Sequence, residues 1–463
     1  MSGARSTLDR PLALLVAGTF FMEILDGTVL ATAAPDIAAS LHVRAPDVGI
    51  AITAYLVTLA VLIPLSGWLA DRWGSRTVFV AAIVLFSVSS GLCALSRGLP
   101  ELTALRVLQG AGGALMVPVG RLIVLRGTAK PDVIRAIAFL TWPGLVAPIA
   151  APLAGGLLTT YLSWHWIFLI NLPLGAVALV AAIRRVPQIR AADPPPMDWP
   201  GFLQTSGALG ALVVAMSALG AERIDVPLVV GSAVSALVLG VTSYRHLGRA
   251  PHPLLDLGLL RRRTFRAGQA GGGLYRATVF ALPFVLPLMF QEAFGWNAVR
   301  AGVMVTAVFV GNLAIKPATT AILHRLSFRT VIVASVSVVS LTMILCGGLT
   351  PGTPTLAVVG LLVISGAARS VGFTAYGTMM FADIDERHLA SANTLSSTVQ
   401  QLAGGLGVAV GVLGLQIGGA IGWFGSSPTT PYRITFGLLA ALTLAALPEA
   451  FRLGRRAGHQ LRG

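Results

Sequence analysis

Charged residues are scarce in this chain. Only 11% of its 463 residues are Asp, Glu, Lys or Arg, against 55% that are hydrophobic. A soluble domain is about a quarter charged and at most about half apolar, and no soluble core of this length buries so much apolar surface. With a mean hydropathy of +0.81, a soluble enzyme and a disordered chain are both excluded. Lysine is nearly absent: Lys130 precedes Pro131, Lys316 precedes Pro317, and neither follows Gly. There is thus no Walker-type phosphate loop, and no nucleotide is expected as a partner. The two cysteines, Cys93 and Cys346, lie inside apolar runs and read as small buried hydrophobes rather than a disulfide framework. The seven histidines include no i,i+4 pair and no His-Glu-x-x-His, so no metal, cofactor or enzymatic chemistry is expected.

What the chain has in quantity is apolar runs of about 20 residues, the length that crosses a bilayer. They start near Leu12, Val48, Val78, Leu99, Ile134, Trp164, Gly201, Val226, Ala267, Ala301, Val331, Thr355, Leu389 and Ile434, giving fourteen candidate transmembrane helices in an all-α integral membrane protein. The first is read as a retained helix, because Glu23 and Asp26 interrupt what would be a signal peptide's apolar region. With the N-terminus inside, 24 of the 33 basic residues fall in cytoplasmic loops and five outside (Arg44, Arg97, Arg223, Arg300 and Arg433), with four inside helices. That asymmetry sets the orientation. An even number of spans then puts both termini in the cytoplasm, and a cell (inner) membrane location follows. The same sorting accounts for the net charge of +15 without invoking nucleic acid. Seven of the eight Trp residues fall at helix ends, as an aromatic belt requires. Trp142 is the exception, read either as packing at a kink before Pro143 or as a wall of a substrate cavity.

Two Pro-rich inner loops, 184–200 and 245–266, bracket the seventh and eighth runs. The expected organisation is a six-helix bundle over 1–190, a linker with two inserted helices over 191–262, and a second six-helix bundle over 263–463. An internal repeat supports the two halves. At an offset of 253, Arg72, Arg76, Thr77 and Val78 meet Arg325, Arg329, Thr330 and Val331. Duplicated halves about a central cavity are a transporter architecture. The triple arginine 261–263 reads either as a topology signal or as a contact with an anionic leaflet.

Five motifs carry a specific resemblance. They are Leu25-Asp26-Gly27-Thr28 through Pro35; Gly67-Trp68-Leu69-Ala70-Asp71-Arg72-Trp73-Gly74-Ser75-Arg76; and Leu105-Arg106-Val107-Leu108-Gln109-Gly110. After them come Pro148 with Ala151-Pro152-Leu153-Ala154-Gly155-Gly156, and Trp164-His165-Trp166 through Asn171-Leu172-Pro173. In this order they resemble the major facilitator superfamily, in particular its fourteen-span drug:proton antiporter branch of the EmrB/QacA type. The resemblance implies the major facilitator fold and export of small molecules against protons. It also implies a gating role for Gly67, Asp71, Arg72, Gly74 and Arg76, with Asp71 latching the inner gate. Pro148, Pro152, Gly155 and Gly156 would form the antiporter motif. In the repeat His324 stands beside Arg325 where the first half has Asp71 and Arg72, so a second latch would carry no fixed negative charge. Ala147 and Ala151 stand where the antiporter motif usually has Gly, which implies slightly looser helix contact there.

Six ionisable residues lie inside the spans: Glu23, Asp26, Arg106, Arg276, Lys316 and Arg369. Burial in hydrocarbon is costly, so each is a functional candidate, with a helix-locking ion pair as the plainer reading. At about 1.5 Å per residue, Asp26 and Arg106 reach similar depth on antiparallel helices. Glu23 lies one turn from Asp26, and Gln109 one turn from Arg106. Burial and a like-charged neighbour favour protonation of a carboxyl, and a close guanidinium opposes it. Asp26 is the expected proton-coupling group, with Glu23 second and Arg106 as the partner. Gln109, Trp142, Arg276, Lys316 and Arg369 are the expected cavity residues. Four cations against two acids suggest an alternative cargo, a citrate-like or other organic anion, unless the second-half cations snorkel or bond backbone carbonyls at helix breaks. A channel would need a filter ring that the sequence does not contain. The expected partners are the lipid bilayer, protons and a small-molecule substrate, with the chain monomeric.

Overall fold

The computed structural model describes residues 9–43, 45–129, 132–194, 196–219, 225–296, 298–422 and 427–453, and is helical without strands over them. Arg5, Arg44, Lys130, Arg223, Trp423, Arg455, Arg456 and Arg462 lie outside the described residues, as do the side chains of Pro148 and Pro152. The first set of helices is α1 (Arg10–Leu41), α2 (Gly49–Leu62), α3 (Ser66–Trp73), α4 (Ser75–Cys93), α5 (Leu99–Gly127), α6 (Val133–Thr141), α7 (Pro143–Tyr161), α8 (Trp166–Leu169) and α9 (Asn171–Arg185). Then come α10 (Trp199–Leu219) and α11 (Val226–Leu247). The last set is α12 (Arg263–Leu288), α13 (Ala298–Ala314), α14 (Lys316–Arg325), α15 (Phe328–Gly347), α16 (Thr355–Met379), α17 (Leu389–Gly422), α18 (Thr430–Leu444) and α19 (Leu447–Phe451).

Among the described residues, ten helical stretches are long and apolar enough to cross a bilayer, or eleven when α13 and α14, bent by 48°, count as one. This is a multi-pass membrane protein. The remaining apolar runs fall on α6–α7, α10 and α17, which contain residues whose side chains lie outside the described set. Proline sets the breaks: Pro64 between α2 and α3, Pro143 between α6 and α7, and Pro317 at the start of α14. Each removes a backbone donor and restricts the residue before it.

The same packing pattern recurs in the two sets. α1 packs on α7 and α5, as α12 packs on α17 and α16; α4 packs on α5 and α9, as α15 packs on α16 and α18. Small residues let these helices approach. A Cβ at Gly366 would overlap the carbonyl of Val308, one at Gly311 the carbonyl of Val363, and one at Gly407 the carbonyl of Ala277. α10 and α11 pack on each other, and α10 also touches α2 and α17, with Ser206 Oγ donating to Val61 O at 2.5 Å. Asp198 anchors the end of the pair at which α10 begins and α11 finishes. Burial alone would push its carboxyl up, but bonds from Gly201 N, His246 Nε2 and Leu254 N, with the charge of His246, hold it below the usual range.

The close approaches generate a contrast within one helix. Gly366→Ala forces two backbones apart, costing about 1–3 kcal/mol by overpacking and lowering the unfolding temperature of the purified protein. Gly360, with nothing within 4 Å of a built Cβ, accepts Ala with an unchanged or raised unfolding temperature, because Ala favours the helix by about 0.5–1 kcal/mol.

Candidate functional site

Five helices bring their polar residues to one buried point. α1 supplies Asp26, 1% exposed, and α5 supplies Arg106 and Gln109, both 0% exposed. Arg106 NH1 donates to Asp26 Oδ2 at 2.5 Å, Gln109 Nε2 to Asp26 Oδ1 at 2.9 Å, and Asn171 Nδ2 of α9 to the same Oδ1 at 2.8 Å. Arg106 NH1 also reaches Gln109 Oε1 at 2.7 Å, so the three groups on α1 and α5 close a ring. Asn171 Nδ2 lies 3.0 Å from Ser90 Oγ, whose own proton goes to the carbonyl of Phe168 at 2.9 Å. The face of Tyr55, from α2, lies 4.0 Å from the Arg106 guanidinium, an attraction that strengthens when desolvated. The Tyr55 hydroxyl lies 3.5 Å from the carboxylate of half-buried Glu23. Glu23 and Asp26 therefore face the same arginine–tyrosine pair.

Asp26, Glu23, Arg106 and Gln109 lie together as their depths along α1 and α5 predict, and Asn171, Tyr55 and Ser90 join them without a signal in the depth count. Asn171 is the one amide in the buried part of α9, and that polarity was the available signal. Cys93, read as a plain hydrophobe, lies 3.8 Å from Gln109 Oε1.

The second-half cations do not form a comparable cluster. Arg369 donates to the carbonyl of Val279. Four residues on from Val279 stands Pro283, which has no N–H to give, so Arg369 satisfies the carbonyl that this proline leaves open. Lys316, at the 48° bend, donates to Thr374 Oγ1 at 3.2 Å. Arg276 is buried with its Cζ 5.6 Å from the Phe373 ring, and its Nε and NH1 have no hydrogen-bond partner among the described residues. It lies close enough to Arg121 of α5 for their charges to repel. Arg121, counted with the loops on sequence, is partly buried within a helix and stacks 5.0 Å from Phe381. Trp142 stands at the α6–α7 break, 43% exposed.

The segment from Gly67 to Arg76 forms the α3–α4 corner. Asp71 pairs with Arg126 at 2.7 Å, rather than with Arg72 or Arg76 beside it. Arg72 is exposed, and Arg76 donates to the carbonyl of Ile183. Gly74 turns the chain at φ 90°, a backbone that favours glycine. The space a side chain would fill holds Gln188, which donates to Trp73 O at 3.0 Å and to Thr77 Oγ1 at 2.8 Å. Gly67 lies against Thr394 of α17, where a Cβ would overlap the hydroxyl. Nearby Asn393 Nδ2 donates to Pro118 O of α5 at 2.8 Å, and Gly377 of α16 faces Ile137 of α6. These three contacts join the first and last helix sets at the end carrying Asp71. His324 and Arg325, the repeat's counterparts, are exposed at the end of α14. Gly155 is buried in α7, and Gly156 has nothing within 4 Å of a built Cβ.

The sequence profile described as “Major Facilitator Superfamily” matches residues 16–408 and, again, 270–461. The “Putative multidrug resistance protein MdtD” of Escherichia coli O9:H4 (strain HS) is 35% identical over 444 residues, 94% of this chain and 92% of that one. The protein of the same name from Citrobacter koseri is 36% identical over 405 residues, 87% of this chain and 85% of its own. Among solved structures, the human organic anion transporter MFSD10 (TETRAN) aligns with a TM-score of 0.69 at 15% identity, covering 97% of this chain and all of that one. The proton:xylose symporter XylE aligns at 0.65 with 12% identity, covering 97% and 96%. At such identities the two structures speak for the fold alone.

The geometry ranks the supports of Asp26. Asn171→Ala removes one of three donors from a buried carboxylate, at a cost of about 1–3 kcal/mol. Arg106→Ala strands the carboxylate without its counter-charge and costs about 3–5 kcal/mol. Thermal unfolding of the purified variants gives the order wild type, Asn171→Ala, Arg106→Ala from most to least stable.

Proposed function

Because the chain belongs to the major facilitator superfamily, a family of transporters rather than enzymes, we propose that it is a proton-coupled efflux transporter. It exports small amphipathic compounds by alternating access, with one six-helix bundle (1–190) rocking against the other (263–463) and an inserted pair within 191–262. The apolar runs on α6–α7, α10 and α17, added to the eleven spans among the described residues, make fourteen crossings. Both termini then lie in the cytoplasm and the chain sits in the inner membrane, the orientation favoured by its basic loops. The MdtD relatives, named for multidrug resistance, support the direction of transport.

The observation that carries the proton-coupled reading is the buried Asp26 with its three donors. An ionised carboxylate accepts all of them. A protonated one turns an acceptor oxygen into a hydroxyl and removes the charge that holds Arg106, so the bond from Arg106 to Oδ2 weakens and is the one to be given up. Arg106 cannot shed its own proton, so loss of its bond to Asp26 frees a guanidinium to re-pair with Glu23, whose present donor is Tyr55. Protonation is thereby converted into a change of partner between α1, α2 and α5. The Gly67–Thr394, Asn393–Pro118 and Gly377–Ile137 contacts close the cytoplasmic end in this reading, so the cavity faces outward and protons reach Asp26 from outside. Each proton moving inward supplies about 2.3 kcal/mol per 100 mV to reopen those contacts.

A second reading, export or exchange of an organic anion, is favoured by Arg276, Arg121 and Lys316, a cationic set with two unbonded guanidinium nitrogens. Inside-out vesicles holding a proton gradient separate the two. For the main reading, lipophilic cations dissipate the gradient with wild type, and Asp26→Asn reduces that signal to the level of empty vesicles. Dissipation by organic anions alone, lost in Arg276→Ala and Lys316→Ala, establishes the second reading. Equal dissipation by wild type and Asp26→Asn removes proton coupling at this site.

A further inference from the structure

The first turn of α12 is built against its own dipole. Arg261, Arg262 and Arg263 lead into it and Arg266 follows, while its first turn carries no acidic residue and its N-cap makes no side-chain bond. Cations at the positive end of a helix are unfavourable, and an anion there is favoured. Two of these arginines have partners. Arg262 donates to the carbonyl of Asp383 and to Asp385 Oδ2 at 2.9 Å. Arg266 Nε lies 3.5 Å from Glu449 Oε2, an ion pair without a hydrogen bond. Arg263, exposed at the first helical position, makes no ion pair with any described residue.

Across from this turn, α19 brings Arg452 to the same place. Arg263, Arg266, Glu449, Arg452 and Leu453 line a cavity of about 210 Å³. Arg452 NH1 bonds Glu449 Oε1 at 2.7 Å, so one carboxylate serves two guanidiniums while a third stands beside them. The cavity thus holds three fixed positive charges against one negative. Guanidinium forks suit tetrahedral oxyanions.

We propose that this cavity binds a phosphate group, held by Arg263, Arg266 and Arg452, whether it arrives as the phosphodiester of an anionic lipid headgroup or as free inorganic phosphate. The site lies where the spans Arg263–Ala293 and Thr430–Phe451 end, on the side of the bundle that carries Asp71, and owes nothing to the Asp26 cluster. Occupancy neutralises the charge at the α12 N-terminus and ties α12 to α19.

The test uses the full-length protein in detergent, with short-chain phosphatidylglycerol and inorganic phosphate as separate probes and binding read from the rise in unfolding temperature. Wild type is stabilised in a saturable manner, and Arg263→Gln/Arg452→Gln binds about tenfold more weakly or not at all. Stabilisation by phosphatidylglycerol but not by inorganic phosphate assigns the site to a lipid headgroup; stabilisation by inorganic phosphate alone assigns it to the free ion. Glu449→Gln removes the one competing acid and binds more tightly, a gain that misfolding cannot imitate. Failure of both probes to stabilise wild type, equal binding by the double variant, or no gain in Glu449→Gln overturns the proposal.

Discussion

A charge set among apolar helices has to find its partners inside the protein, and the arrangement of the first helix set follows from how Asp26 finds them. Three donors arrive from two other helices, and the guanidinium among them is held from its other side by Tyr55 on a third. α1, α2, α5 and α9 are thus tied around one carboxylate before any apolar packing is counted. Hydrophobic burial cannot do this work in a bilayer, because lipid tails solvate Leu and Val as well as a neighbouring helix does. What holds such helices together is close backbone approach at glycine and polar contact at depth, and this protein uses each in a different place. Polar contact dominates around Asp26, while close approach dominates in α12–α17 and α13–α16.

That division explains why the two halves, alike in packing pattern, differ in chemistry. Among the described residues, no carboxylate of the second half pairs with its buried cations, so it meets the cost of each one separately: a carbonyl opened by proline for Arg369, a hydroxyl for Lys316, an aromatic face for Arg276. Arg369 serves helix geometry. Arg276 and Arg369 each keep two buried guanidinium nitrogens unbonded among the described residues, but Arg369 also donates to a carbonyl, so Arg276, resting on an aromatic face, is the costlier arrangement and the one more open to a visiting anion.

Much of this was legible in the chain. The apolar runs, the loop asymmetry and the i,i+3 step from Arg106 to Gln109 are local, and depth along a helix is a count of residues, so Asp26 and Arg106 were brought together by arithmetic. What arithmetic does not give is rotation. Whether Asn171 turns toward Asp26 depends on how α9 packs on α4, and that is set by contacts such as Gly175 against Ser87. Partner choice among many arginines was hidden for the same reason. Asp71 had Arg72 and Arg76 within one turn, yet its bond goes to Arg126, 55 residues along the chain, because the close neighbours project elsewhere. The carbonyl that Pro283 leaves open was readable from the sequence, but not which cation would reach it.

The Gln188 side chain that fills the pocket at Gly74 has a bearing on biogenesis. It reaches back across 115 residues to the carbonyl of Trp73. At a synthesis rate of about 5–20 residues per second, the α3–α4 corner is in the membrane for roughly ten seconds before its plug is made. During that interval the corner has its turn but not its lock, and the loop around Asp71 is free to adjust while α5 to α9 insert. The segment after α9 then fastens onto it through Ser75, Thr77 and Gln188. The first half is thus sealed by its own last residues, a completion step that comes before α10 begins.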